Sequence, residues 1–172
     1  MALQLFKIET IEVASPVASV TFSSIPQGYT DLMVVTSSRS TRPAQEDPVY
    51  VRFNNNSSSV YSEKFLYGNG SAAYSGSTAT NYFQYYSQTA ASATSNTFGS
   101  MSIYIPNYTS SNYKSVSVDA LFPNNSATTD YSRIQINAGL FSSTSPITSI
   151  LIGTWVGPYF DTNSTFTLYG IL

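Results

Sequence analysis

Few residues in this chain could do chemistry. It holds nine carboxylates (Glu9, Glu12, Glu46, Glu63, Asp31, Asp47, Asp119, Asp130 and Asp161) and neither histidine nor cysteine. Without histidine the usual general base and the commonest metal ligand are missing. Without cysteine there is no thiolate nucleophile, thiolate metal site or disulfide. Glu9 and Glu12 stand at odd separation on an extended segment, so they point to opposite faces and cannot form a glycosidase pair by themselves. Glu46 and Asp47 are adjacent and would need a third carboxylate brought to them through space. Turn capping and strand-end solvation account for these acids more simply. Calcium would need several oxygen ligands clustered on a loop; "EDP" at 46–48 and the Asp161/Asn163 pair are weak versions of that, and the latter reads as a turn before the final strand. Gly68-x-Gly70 lacks the lysine and the helix of a phosphate loop. The chain therefore reads as no enzyme, with no metal and no cofactor.

Recognition chemistry is better supplied. The chain carries 14 tyrosines and 10 phenylalanines, and rings beside amides and hydroxyls suit both sugar faces and permanent protein contacts. "GNGSAAYSG" and "NYFQYY" hold the most exposed-looking rings: Tyr74, Tyr82, Phe83, Tyr85 and Tyr86. Two readings stand side by side. Either alternate rings of the cluster pack into a core, or they form a contact surface for a subunit or a glycan.

The elements that must position these residues are strands. Alternation marks "VASVTF" with Val20 and Phe22 on one side, "VYVRFN" with Val49, Val51 and Phe53, and "FGSMSIYIP" with Met101, Ile103 and Ile105. In "NYKSVSVDALF" Val116, Val118 and Ala120 oppose Ser115, Ser117 and Asp119, while "YSRIQINAGLF" places Ile134 and Ile136 inward. "LFKIETIEV" alternates in a way that implies a switch of buried face midway. "YTDLMVVTSSR" is apolar at its centre, as in a central strand. Residues 41–48 read as a loop, with Asn54–Ser59, Gly68-Asn69-Gly70 and Asn124-Asn125 as further breaks. Residues 71–100 are least regular and read as two irregular strands or one long exposed loop, with a strand expected around Tyr82–Tyr86. The terminal "NSTFTLYGIL" reads as a core strand that buries Phe166 and Leu168, with Gly170 marking a close approach. No helical stripe of useful length occurs. Roughly eight to ten strands divided by Asn/Ser/Gly/Pro loops predict a single all-β domain over 1–172, an antiparallel β-sandwich or barrel.

Charge narrows the partners. Only 9% of residues are charged and the net charge is −2, with no basic stripe for a phosphate backbone or an anionic membrane. So little charge suits a protein packed against neighbours better than a free monomer. The first residues lack the basic leader and apolar core of a signal peptide, which reads as cytoplasmic synthesis. The sequons at Asn55, Asn69, Asn107 and Asn163 read as chance matches in an Asn/Ser/Thr-rich chain.

Several segments, in order, carry a resemblance: "FSSIPQGYTDLMVVTSSR", "VRFNNNSSSVYSEKFLYGNGS", "NTFGSMSIYIPNYTSSNYKSVSVDA", "NNSATTDY", "AGLFSSTSPITSI" and "NSTFTLYGIL". Together they resemble small virion proteins of tailed bacteriophages, especially marine and cyanobacterial ones. The resemblance implies a β-sandwich of jelly-roll type, often homotrimeric. Such a protein either decorates and cements the capsid or forms a knob of a head or tail fibre with a host glycan as receptor. The chain lacks the heptads, collagen-like repeat and shaft of a long fibre, which favours decoration. On that reading the partners are other copies of the chain and the major capsid protein, and the location is the virion, assembled in the host cytoplasm. Capsid contact would come from the N-terminal segment with Leu3, Leu5 and Phe6, or from Arg42, Glu46 and Asp47.

Overall fold

A computed structural model describes residues 4–124 and 132–172. These residues form twelve strands: β1 (Leu5–Glu12), β2 (Ser19–Phe22), β3 (Asp31–Ser38), β4 (Glu46–Phe53), β5 (Tyr61–Gly68), β6 (Ala73–Thr80), β7 (Phe83–Thr89), β8 (Gly99–Ile105), β9 (Lys114–Phe122), β10 (Arg133–Phe141), β11 (Ile150–Thr154) and β12 (Thr165–Ile171). They build two antiparallel sheets in a sandwich-like arrangement, one of eight strands in the order β1-β12-β3-β8-β9-β10-β5-β6 and one of four in the order β2-β11-β4-β7. Among the described residues no helix is long and apolar enough to cross a membrane.

The core lies between the sheets and follows the alternation of the sequence. Val34, Met101, Ile103, Val118, Phe166 and Leu168 face it from the larger sheet, and Phe22, Val49, Val51 and Ile152 from the smaller. At its centre Phe53, Tyr61, Phe83 and Phe141 pack edge-on or tilted at centroid separations of 5.0–6.5 Å, the geometry ring quadrupoles prefer. Tyr61 keeps its hydroxyl bonded inside this cluster, accepting from the Phe53 N–H at 3.1 Å and donating to the Asn56 carbonyl at 2.9 Å.

Several local expectations are sharpened. The switch of face in β1 is a β-bulge between Lys7 and Glu9, which advances the strand by one residue against β12. Ile8 and Ile11 thereby both reach the core although three apart. The last strand is internal, paired on one side with β1 and on the other with β3. A Cβ at Gly170 would fall inside the Tyr29 ring, so the close approach there is a ring lying on the backbone. The stretch 41–48 is not all loop: β4 begins at Glu46 and carries Pro48 within it. The ladder tolerates this proline because the register against β7 shifts between Asp47 and Pro48, the kind of position where a missing N–H costs least. Residues 71–100 hold two strands, β6 and β7, and the start of β8, and not one long loop.

Two buried cations hold loops that would otherwise be irregular. The Arg39 guanidinium donates to the carbonyls of Ala91, Ala93, Thr94 and Thr97 at 2.8–3.3 Å, which fixes the connection after β7. The Lys114 ammonium sits among the carbonyls of Ser110, Asn112, Ser143 and Ser145 at 2.6–3.3 Å, tying the turns before β9 and after β10. Asparagine supplies most of the left-handed turns, with positive φ at Asn54, Asn55, Asn96, Asn107 and Asn163 beside Ser24 and Gly70, a conformation asparagine tolerates better than most. The turn at Asn124-Asn125 lies partly outside the described residues.

Phe166 is fully buried and packs against Phe160 at 4.8 Å between centroids. Phe166→Ala is expected to lose about 3–5 kcal/mol of folding free energy, measured by urea unfolding. A loss within about 0.5 kcal/mol, the scale of a surface change, would mean that β12 is peripheral to the core.

Candidate functional site

The larger sheet is twice as wide as the smaller, so part of its inner face has no sheet opposite. β7 is the outer strand of the smaller sheet on that side, and beyond it the strands β10, β5 and β6 overhang. Core-facing positions there change character. β10 runs Arg133, Gln135 and Asn137 inward before Gly139 and Phe141, and β5 offers Glu63, Phe65 and Tyr67. Arg133 and Gln135 of β10 and Glu63, Phe65 and Tyr67 of β5, with Tyr74 and Thr78 from β6 and Gln84 and Tyr86 from β7, line a cleft of about 410 Å³.

The expectation that Ile134 and Ile136 point inward is therefore reversed: they are 68% and 54% exposed, while Gln135 and Asn137 are buried. Alternation of isoleucine with polar residues ordinarily marks the apolar side as the core. Here the inward side of β10 meets core only at its Phe141 end and the cleft at the other.

A stack of rings and one guanidinium closes the end of the cleft. Tyr74 stacks on Tyr67 at 4.9 Å, the Arg133 guanidinium lies 4.1 Å from the Tyr67 ring, and Tyr86 covers it from the other side at 4.2 Å. Cation–π attraction of this kind contributes about 0.5–2 kcal/mol per ring, more as water is excluded. Glu46 stands 3.6 Å from Arg133 and balances its charge. The stack rivets the β5–β6 hairpin to the edge of the smaller sheet.

Glu63 forms the polar floor. Its Oε1 accepts from the Thr78 hydroxyl at 3.1 Å and from the Gln84 backbone N–H at 3.2 Å. Its Oε2 accepts from Asn137 Nδ2 at 3.0 Å, and Asn137 Oδ1 in turn accepts from Gln135 Nε2 at 2.8 Å. The bond to Gln84 satisfies a donor on the otherwise open edge of β7. Burial pushes the Glu63 carboxyl above its ordinary 4.5, and the bonds from Gln84, Asn137 and Thr78 pull the other way without cancelling it.

The residues singled out from sequence separate. Tyr74 and Tyr86 meet in the cleft. Phe83 and Tyr85 are completely buried and are unavailable to a subunit or a glycan, because they alternate into the core from β7. Tyr82 belongs to a different surface, where it accepts a hydrogen bond from Trp155 Nε1 at 2.9 Å and packs near Tyr50 at 6.0 Å. Leu5 and Phe6 are exposed on β1, an edge strand; Leu3 lies outside the described residues. Asp47 is wholly buried and serves the fold rather than the surface: its Oδ2 accepts from the Ser40 hydroxyl at 2.7 Å and the Gly157 N–H at 3.0 Å, with Arg42 3.6 Å from Oδ1. Glu46 and Arg42 are likewise engaged inside the molecule. No carboxylate cluster that could hold a metal occurs among the described residues. Glu63, Arg133 and Gln135 were not singled out from sequence; their one signal was polar residues recurring on the strand faces opposite Ile134, Ile136 and Leu66.

No protein-family model matches the chain, and no curated protein matches it. Among solved structures, fructofuranosidase from Schwanniomyces occidentalis complexed with fructose is similar at 9% identity and a TM-score of 0.26, over 97% of this chain and 34% of that one. The chain thus spans about a third of that enzyme's length, and a likeness so loose transfers neither fold nor activity.

The buried carboxyls give a sign to the pH dependence of stability. Burial raises Glu63 and Glu46 above 4.5 and Asp47 above 3.8. An acid whose folded value is raised binds more protons folded than unfolded as pH climbs from the unfolded value to the folded one. Its contribution is complete below the unfolded value and is lost as pH rises through the folded one. Urea midpoints should therefore fall as pH rises from about 4, and Glu63→Gln should make that decline shallower. An unchanged slope in the variant would show that Glu63 takes no part.

Proposed function

We propose that this chain is a structural subunit of a bacteriophage particle that stabilises the head as a decoration or cement protein. The observation that carries this reading is the outer face of the larger sheet. Leu66, Leu121, Ile134, Ile136 and Leu140 stand exposed on it, from three adjacent strands. Among the described residues of β5, β9 and β10, only Lys64 and Asp119 bring charge to that side. Exposed apolar residues gathered on one face with so little charge mark a contact surface. Shell stabilisation asks for inert, close-fitting contact and no chemistry, which matches the residue inventory.

Strand order supports the finer reading as a jelly roll. The order β1-β12-β3-β8 in one sheet and β2-β11-β4-β7 in the other matches the strand order of an eight-stranded double Greek key, a fold used by viral capsid and lectin domains. The pairs β5–β6 and β9–β10 are then insertions that join edge to edge and widen one sheet. Fold alone does not give function, so the weight rests on the apolar face and on the resemblance of the sequence. The partners on this reading are other copies of the chain, as a homotrimer, and the major capsid protein, within the virion. The second reading, a tail or fibre component that binds a host glycan, is favoured by the cleft alone.

Sedimentation should find the 18.7 kDa protomer as a trimer at micromolar concentration, and Ile136→Lys should weaken association by about tenfold or more, which is about 1.4 kcal/mol. Ile136 is exposed, so the substitution tests contact and not folding. A stable monomer in the wild type, or association indifferent to the lysine, would sink the assembly claim. Electron microscopy of the particle tests the place: many copies on the shell agree with decoration, and a few at one vertex favour the tail or fibre reading.

A further inference from the structure

We propose that the cleft beneath the overhang binds a neutral saccharide, with Tyr74 as its stacking platform and Gln135, Gln84 and Thr78 as its hydrogen-bonding partners. The cleft's volume of about 410 Å³ lies within the roughly 300–1,000 Å³ of small-ligand sites. This site goes beyond the assembly role and does not rest on it.

Three observations meet there. First, Tyr74 stacks one face on Tyr67 and remains 44% exposed. A ring held from behind and open in front suits the flat apolar face of a sugar. Second, Gln135 is 4% exposed and its amide is oriented, because Nε2 donates to Asn137 at 2.8 Å. Its Oε1 is buried and has no partner in the fold. Such an orphan acceptor has lost its water without gaining a bond, and a hydroxyl donor from a ligand would relieve it. Third, the cleft's charges are already answered. Arg133 is faced by Glu46, and Glu63 accepts from Thr78, Gln84 and Asn137. Neither charge calls for an ionic ligand. An apolar ring face beside oriented amides and a hydroxyl matches a molecule with an apolar face and hydroxyls at its edge.

The test is saturation-transfer NMR on the full chain with glucose, galactose, mannose, N-acetylglucosamine and their β-linked disaccharides, with sialic acid as the charged comparison. At least one neutral sugar should receive saturation. Tyr74→Ala should weaken that sugar tenfold or more, Tyr74→Phe should retain it, and Gln84→Ala should weaken it severalfold. Circular dichroism of each variant should match the wild type, as expected for positions at the rim of the cleft. No transfer to any neutral sugar, transfer to sialic acid alone, or neutral-sugar binding unchanged in both alanine variants would overturn the proposal. The oligomeric state of Ile136→Lys bears on the assembly role and leaves this result untouched, so the two claims fail separately.

Discussion

Four strands cannot cover eight. The larger sheet has to leave part of its inner face without a partner sheet, and the features that distinguish this molecule lie along that uncovered border. Where the sheets overlap, the inner positions are chiefly Phe, Ile, Val and Leu, with Tyr, Met and Ala among them. Where they do not, an apolar lining would stay wet, and the positions become Arg133, Gln135, Asn137 and Glu63. Polar side chains there are still largely buried, so each needs bonds, and they find them chiefly in one another. The mismatch in width thus produces both a cleft and the network that lines it.

The overhang must also be kept from flapping. Strands β10, β5 and β6, carried only by pairing onto the edge of β9, would be weakly held, since a few strands without a packed face have little stability of their own. Two devices tie them to the smaller sheet. Phe83 reaches from β7 into the space that the missing side chain of Gly139 leaves on β10. Further out, Arg133 lies between Tyr67 of β5 and Tyr86 of β7, with Tyr74 stacked behind. Planar guanidinium between two rings keeps its charge, its donors and its packing together, which a lysine ammonium cannot do. The open edge of β7 is meanwhile served by Glu63.

This division explains what was legible in the sequence. β4, β8, β9 and β12 lie over the shared core, so their period-two alternation named the buried side. β6, "AYSGSTAT", shows no apolar period because it is the outermost strand of the overhang and neither of its faces is deeply buried. β10 misled for the opposite reason: its pattern is strong, but the side with the isoleucines faces out. Alternation reports that two faces differ, and which one is inside depends on what the rest of the fold places opposite. Of the ring cluster, Phe83 and Tyr85 followed their alternation into the core, while Tyr86 and Tyr74 met only because β5, β6 and β7 converge. The ties at Arg39 and Lys114 left no local signal, since their acceptors are backbone carbonyls, all distant in sequence for Arg39 and half of them distant for Lys114.

The inverted strand raises the question of what holds its register. A slip of one residue would turn Ile134 and Ile136 inward and set Arg133 and Gln135 outside, which period-two hydrophobicity alone would favour. Two fixed points oppose it. At one end Phe141 is locked between Phe53 and Tyr61, and a slip would withdraw it from the core at about 3–5 kcal/mol, the cost of an aromatic deletion. At the other end Arg133 would leave its two rings and its ion pair with Glu46. Gly139 adds a third constraint, because any other residue of β10 in its place would collide with Phe83. The register is therefore set by fit at both ends of the strand. The exposed isoleucines and the polar cleft are two consequences of one choice of register, and neither could be exchanged without the other.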